Sequence, residues 1–181
     1  MISMIYLSLN IMIIFINKIK ILSSEVVWRV IMKKIEELYD MLKWYQPIEI
    51  QKKGIKLSEQ YDDLNLFIQP ISSEVSKEIW NNCALIISNK NNEQLKEYFL
   101  PLLEWLRDMT WPGALIIKER LLNVPYKMIK NSLKVAIDTA ISNKECDWLY
   151  NIADLVQDLD NKQYVLTTAK ELEKQENIKS N

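Results

Sequence analysis

The residues best placed to do chemistry lie in one short stretch, Glu104-Trp105-Leu106-Arg107-Asp108-Met109-Thr110-Trp111. Glu104 and Asp108 are spaced i, i+4, so a continuous helix would put both carboxylates on one face beside Trp105 and Trp111. Acidic groups walled by indoles can hold a cation or a basic side chain of a partner. A carboxyl held against tryptophan would also have a raised pKa and could act as a general acid or base. The bland alternative is that Asp108 caps the next helix or pairs with a lysine while the tryptophans fill grooves between helices. Trp80 with Asn82, and Asp147 with Trp148, add candidate polar and aromatic contacts further along the chain.

Composition removes other chemistry. The 181 residues contain no histidine, so a Ser-His-Asp triad, a Cys-His pair and a His metal ligand are all excluded. The two glycines, Gly54 and Gly113, are too far apart for a phosphate-cradling loop. Lys and Arg number 23 against 24 Asp and Glu, a net charge of -1, with no basic stripe of the kind nucleic-acid binders show. No cofactor is expected, and no metal site, because the spacing converges no set of carboxylates. Cys83 and Cys146 form no CxxC and read as reduced thiols of a cytoplasmic protein. Cys146 would be reactive only if exposed at a helix N-terminus.

These residues must be positioned by helices. Val75, Ile79, Cys83, Ile86 and Ile87 recur at helical spacing, as do Leu95, Phe99, Leu102, Leu103 and Leu106, and Ile129, Leu133, Ala136, Ile137 and Ala140. Helices are expected near 33–45, 48–60, 74–88, 92–99, 101–108, 112–122, 125–142, 146–158 and 161–175. Pro47, Pro70, Pro101, Pro112 and Pro125 stand near their starts. Asn91 with Gln94, and Asp160 with Gln163, read as capping boxes. One of Asp62 and Asp63 reads as a cap, and Leu64–Ile68 is the one short extended candidate. Trp44, Trp80, Trp111 and Trp148 recur near the ~34–47-residue period of helix-pair repeats. The expected fold is all-α, with antiparallel helical hairpins stacked as a short HEAT- or armadillo-like right-handed superhelix and the tryptophans wedged between layers. Pro112 and Gly113 would form a packing junction, while Gly54 is merely tolerated in mid-helix.

Residues 1–31 look foreign to this domain. Met1 to Ile16 are uncharged, Lys18 and Lys20 follow the apolar run instead of preceding it, and Ser3, Ser8 and Asn10 interrupt it. An over-extended gene start is one reading, with the natural start at Met32. A weak membrane anchor within residues 1–22 is the other. The single domain is then expected over 32–175, with a fraying tail at 176–181.

The stretch Pro101–Ala114 resembles the signature of a family of bacterial domains of unknown function, which reads roughly L-P-x-L-L-E-W-L-x-D-M-N-W-P-x-A. Thr110 stands where members commonly have Asn. The similarity extends over most of residues 44–158. It implies an all-helical, HEAT-like fold in a small cytosolic protein and supplies no activity; some members resemble immunity proteins. The expected function is a non-enzymatic protein-interaction module, of immunity or adaptor type, binding a basic partner protein and no nucleic acid. Two alternatives remain open: a HEAT-like scaffold enzyme related to DNA glycosylases that uses carboxylate and Trp side chains, and a membrane-anchored regulator that depends on residues 1–22.

Overall fold

A computed structural model describes residues 25–68 and 77–179. Residues 1–24, and with them the membrane reading at 1–22 and most of the gene-start reading at 1–31, lie outside the described residues, as do Pro70 and Val75. The fold is all-α: among the described residues every regular element is an α-helix or a short 3-10 turn. None of these helices is long and apolar enough to cross a membrane. Two compact units divide at Asp40/Met41. The first contributes most of helix α1, residues 25–42, on which Val26, Val27, Trp28, Val30, Ile31 and Met32 are exposed.

The second unit carries the remaining elements. They are α2 (Ile48–Leu57), α3 (Trp80–Ser88), α4 (Asn92–Leu95), α5 (Phe99–Glu104), α6 (Ala114–Leu122), α7 (Tyr126–Asn143), α8 (Cys146–Ala153) and α9 (Leu159–Lys179). Helix α3 packs on α2 and α6, α7 packs on α5 and α8, and α8 packs on α9. Each helix buries the stripe its spacing dictates. On α7 that stripe is Ile129, Leu133, Ala136 and Ala140, and on α8 it is Trp148, Leu149, Ile152 and Ala153.

The helix starts follow local chemistry. Pro47 and Pro125 occupy the N-cap positions of α2 and α7, where a missing N–H costs nothing. At α4, Asn91 and Gln94 form a complete capping box: Gln94 N–H donates to Asn91 Oδ1 at 2.9 Å, and Asn91 N–H donates to Gln94 Oε1 at 3.0 Å. At α9 the expected cap is displaced. Asp158, not Asp160, accepts the Asn161 N–H, at 2.8 Å, and the helix starts at Leu159. Leu64–Leu66 is a 3-10 turn and not an extended segment, because Asp63 Oδ1 accepts the Asn65 N–H and curls the chain.

Two glycines sit at close approaches. A β-carbon on Gly54 would lie 2.9 Å from Met41 Cβ and 3.1 Å from Leu42 Cδ2. Gly54 is therefore the point where α2 meets the last residues of α1, which corrects its reading as a tolerated mid-helix residue. Helix α7 stops without a glycine: Lys144 takes the left-handed conformation at φ 61°, and Glu145 N–H reaches back to Ala140 O at 2.8 Å.

Candidate functional site

Helix α5 ends at Glu104, and the chain tightens into a 3-10 turn over Trp105–Arg107. Asp108 is extended, at φ −134° and ψ 109°. Glu104 and Asp108 therefore do not share a helix face, and the paired-carboxylate arrangement expected from their spacing does not form. Asp108 instead closes a local turn: its Oδ1 accepts the Thr110 N–H at 2.8 Å and the Thr110 hydroxyl at 2.7 Å. Thr110's hydroxyl bond, then its backbone bond, holds the Asp108 carboxyl below the usual range, with Lys77 adding a smaller pull. The expected raised carboxyl is thus overturned: the charged form is the one stabilised. Glu104 is partly buried, and its carboxylate makes no hydrogen bond or ion pair among the described residues.

The rest of the motif is a hydrogen-bonded junction. Trp105 is fully buried, and its indole N–H donates to Pro112 O at 3.2 Å. Trp111 N–H donates to Asp108 O at 3.1 Å, and Ala114 N–H to Trp111 O at 3.1 Å. Gly113 takes φ +81°, and a β-carbon on it would meet Ala84 Cβ at 2.5 Å and Trp80 O at 3.0 Å. Only glycine fits here on both counts, its left-handed backbone and the closeness of α3.

Helix α8 ties itself to the end of α5. Trp148 N–H donates to Leu103 O at 2.8 Å, and Asn151 Nδ2 to Leu106 O at 2.9 Å. Both carbonyls belong to a helix end that leaves acceptors open. Arg107 stacks over the Trp148 ring at 4.5 Å, with its Nε 3.4 Å from Glu145 Oε2. Asp147 lies exposed in the first turn of α8, where its charge suits the helix dipole.

Three tryptophans come together in space. Trp80 meets Trp105 edge-on at 6.1 Å and Trp111 edge-on at 5.6 Å, with ring planes 77° and 80° apart. The face they would offer to a cation already holds one: Lys77 Nζ lies 5.5 Å from the Trp80 ring centre and 5.7 Å from that of Trp111. Spacing alone left Lys77 unflagged; the signal for it was its position three residues before Trp80, one helical turn away. The Trp80 indole N–H is buried and has no hydrogen-bond partner among the described residues.

Asn82 is not a surface contact. It is 4% exposed, and its Nδ2 donates to Leu42 O at 2.8 Å and to Gln51 Oε1 at 2.7 Å. Gln51 Nε2 in turn donates to Trp44 O at 3.0 Å and Gln46 O at 2.7 Å. Trp44 N–H donates to Glu78 O at 2.9 Å, tying this loop to the turn that carries Lys77. The loop so held displays Trp44 at 66% exposure, beside Tyr45 and Ile48, both also exposed. Trp44 therefore does not wedge layers as its place in the Trp spacing suggested.

Clefts also lie elsewhere among the described residues. One, of about 460 Å³ between α7 and α9, is lined by Tyr126, Lys130, Lys134, Asp138 and Tyr164 among others. Another, of about 410 Å³, is lined by Glu59, Asp62, Glu93 and Glu97 together with Tyr61 and Tyr98. Neither contains a residue singled out from the sequence as a binding candidate. Among the described residues no group of three or more acidic or thiol side chains is arranged to hold a metal.

The profile of a family described as "Domain of unknown function (DUF5071)" matches residues 75–179. The aromatic cluster around Trp80 and Trp111 lies inside the matched stretch, and Trp44 lies before it. No curated protein and no solved structure matches the chain.

Proposed function

The chain belongs to the DUF5071 family, a domain of unknown function, and from that premise we propose that it is a non-enzymatic protein-interaction module, of adaptor or immunity type, that binds through Trp44, Tyr45 and Ile48. One observation carries this reading. An amide chain from buried Asn82 through partly buried Gln51 fixes a loop that exposes a tryptophan. Single exposed apolar side chains are ordinary. Here two aromatic residues and an isoleucine lie within five positions, in a loop whose Trp44 and Gln46 carbonyls are held by Gln51. Tryptophan and tyrosine dominate binding hot spots, and a loop already fixed loses little entropy on association.

The non-enzymatic part of the proposal is supported by the fate of the candidate carboxylate. Asp108 is committed to Thr110 and held in its charged form, whereas a general acid at neutral pH needs its pKa raised.

The experiment is affinity capture from the native host with the full chain, compared with Trp44→Ala and Tyr45→Ala. Both side chains are exposed, so both variants should keep the melting temperature of the unaltered chain. The expected result is one protein retained by the unaltered chain and lost with both variants. Retention that ignores both substitutions, or no specific retention at all, overturns the proposal.

A further inference from the structure

We infer that Trp80, Trp111 and Asp108 form a seat for a cationic side chain of the partner, and that Lys77 is the chain's own occupant, displaced when a partner arginine or lysine enters. The inference rests on the protein-binding reading only for the source of the cation. The seat itself can be tested with a small molecule.

Two indole rings 80° apart form a corner, and the ammonium of Lys77 sits at nearly equal distance from both ring centres. Ring faces carry negative potential, so a corner of two faces selects positive charge. The third element is a fixed anion. Both Thr110 bonds to Asp108 go to Oδ1, and Oδ2 accepts no hydrogen bond among the described residues. The seat thus has two aromatic walls, with the Asp108 carboxylate near enough for the Lys77 charge to draw its pKa down.

Lys77 is a weakly held occupant. It is exposed, it stands at the first position of a three-residue 3-10 turn, and it makes no ion pair among the described residues. Its flexible stem regains rotamer freedom on leaving. A guanidinium is planar, less strongly hydrated than an ammonium, and stacks on indole. The same chain shows the difference: Arg107 lies 4.5 Å from the Trp148 ring centre, closer than Lys77 lies to either of its rings. Trp111 is only partly buried, so an incoming side chain can reach this corner from solvent. The turn carrying Lys77 is bonded to the Trp44 loop through Glu78 O, which places the seat beside the proposed binding face.

The test is titration of the full chain with L-argininamide, read on the indole N–H NMR signals of Trp80 and Trp111. Lys77→Ser should show saturable shifts of both signals with a Kd at least about tenfold below that of the unaltered protein. Adding Trp111→Ala should remove them. Lys77→Arg, which fills the seat more tightly, should raise the Kd above that of the unaltered protein, and this variant decides the matter if Lys77→Ser does not fold. No saturable shift in folded Lys77→Ser, or a Kd indifferent to residue 77, overturns the inference. No specific partner retained by the unaltered chain, with argininamide binding intact, would refute the protein-binding proposal and leave the seat standing.

Discussion

Gly113 lies so close to Ala84 that a β-carbon on it would sit 2.5 Å from the Ala84 Cβ. No side-chain adjustment relieves that contact, because Ala84 has nothing flexible to move. The backbone at Gly113 is also left-handed, at φ +81°.

Gly113→Ala should therefore combine left-handed strain with overpacking, for a loss of about 2–4 kcal/mol in unfolding free energy. Chemical denaturation measures it. A change within about 0.5 kcal/mol, ordinary for a surface substitution, would contradict the α3–α6 packing described here.

Lys144 shows the converse case. It is the non-glycine residue with positive φ among those described, at the stop of α7. Lys144→Gly should stabilise the protein by about 0.5–1 kcal/mol, the relief of left-handed strain less the added freedom of the unfolded chain. A loss of stability would mean that the Lys144 side chain contributes more than its backbone costs.

Asn82→Ala removes a buried donor and leaves the Leu42 carbonyl and Gln51 amide oxygen short of a partner. The expected cost is about 1–3 kcal/mol. Hydrogen exchange at the Trp44 and Gln46 amides should quicken more than at α8, which is held by its own bonds. Uniform quickening would show that Asn82 supports the fold at large and not the loop.

Asp154 accepts from Lys118 at 3.0 Å and Lys162 at 3.1 Å, and these two bonds hold its carboxyl below the usual range. Asp108 is lowered by Thr110. A carboxyl depressed in the folded state stabilises the fold at every pH above its unfolded value. That stability is lost as pH falls through the lowered folded value. Asp154→Asn should thus flatten the acid limb of the stability curve and leave its shape near pH 7 unchanged. An acid limb as steep as before would place the proton uptake elsewhere.

How far the sequence reveals this protein depends on the range of the interactions. The Asn91–Gln94 box is legible because both partners lie within one turn. The failure at Glu104 and Asp108 has a local cause that spacing does not carry. The helix tightens at Trp105, and Thr110 pulls Asp108 out of it. Trp44 reads from spacing as a wedge, and only the bond from Asn82, 40 residues beyond Leu42, shows that its loop is held outward. The proposed cation seat was half legible: Trp80, Trp111 and Asp108 stood out from the sequence, and Lys77 did not. The family match at 75–179 agrees with the resemblance seen in the Pro101–Ala114 stretch, although it begins later than residue 44 and runs further.

The most direct test of the central claim is the affinity of the captured partner for the unaltered chain and for Trp44→Ala, measured by titration calorimetry. A hot-spot tryptophan held in place by Asn82 and Gln51 predicts at least about a tenfold loss of affinity, near 1.4 kcal/mol. Equal affinity for the two proteins, with Trp44→Ala fully folded, would contradict it.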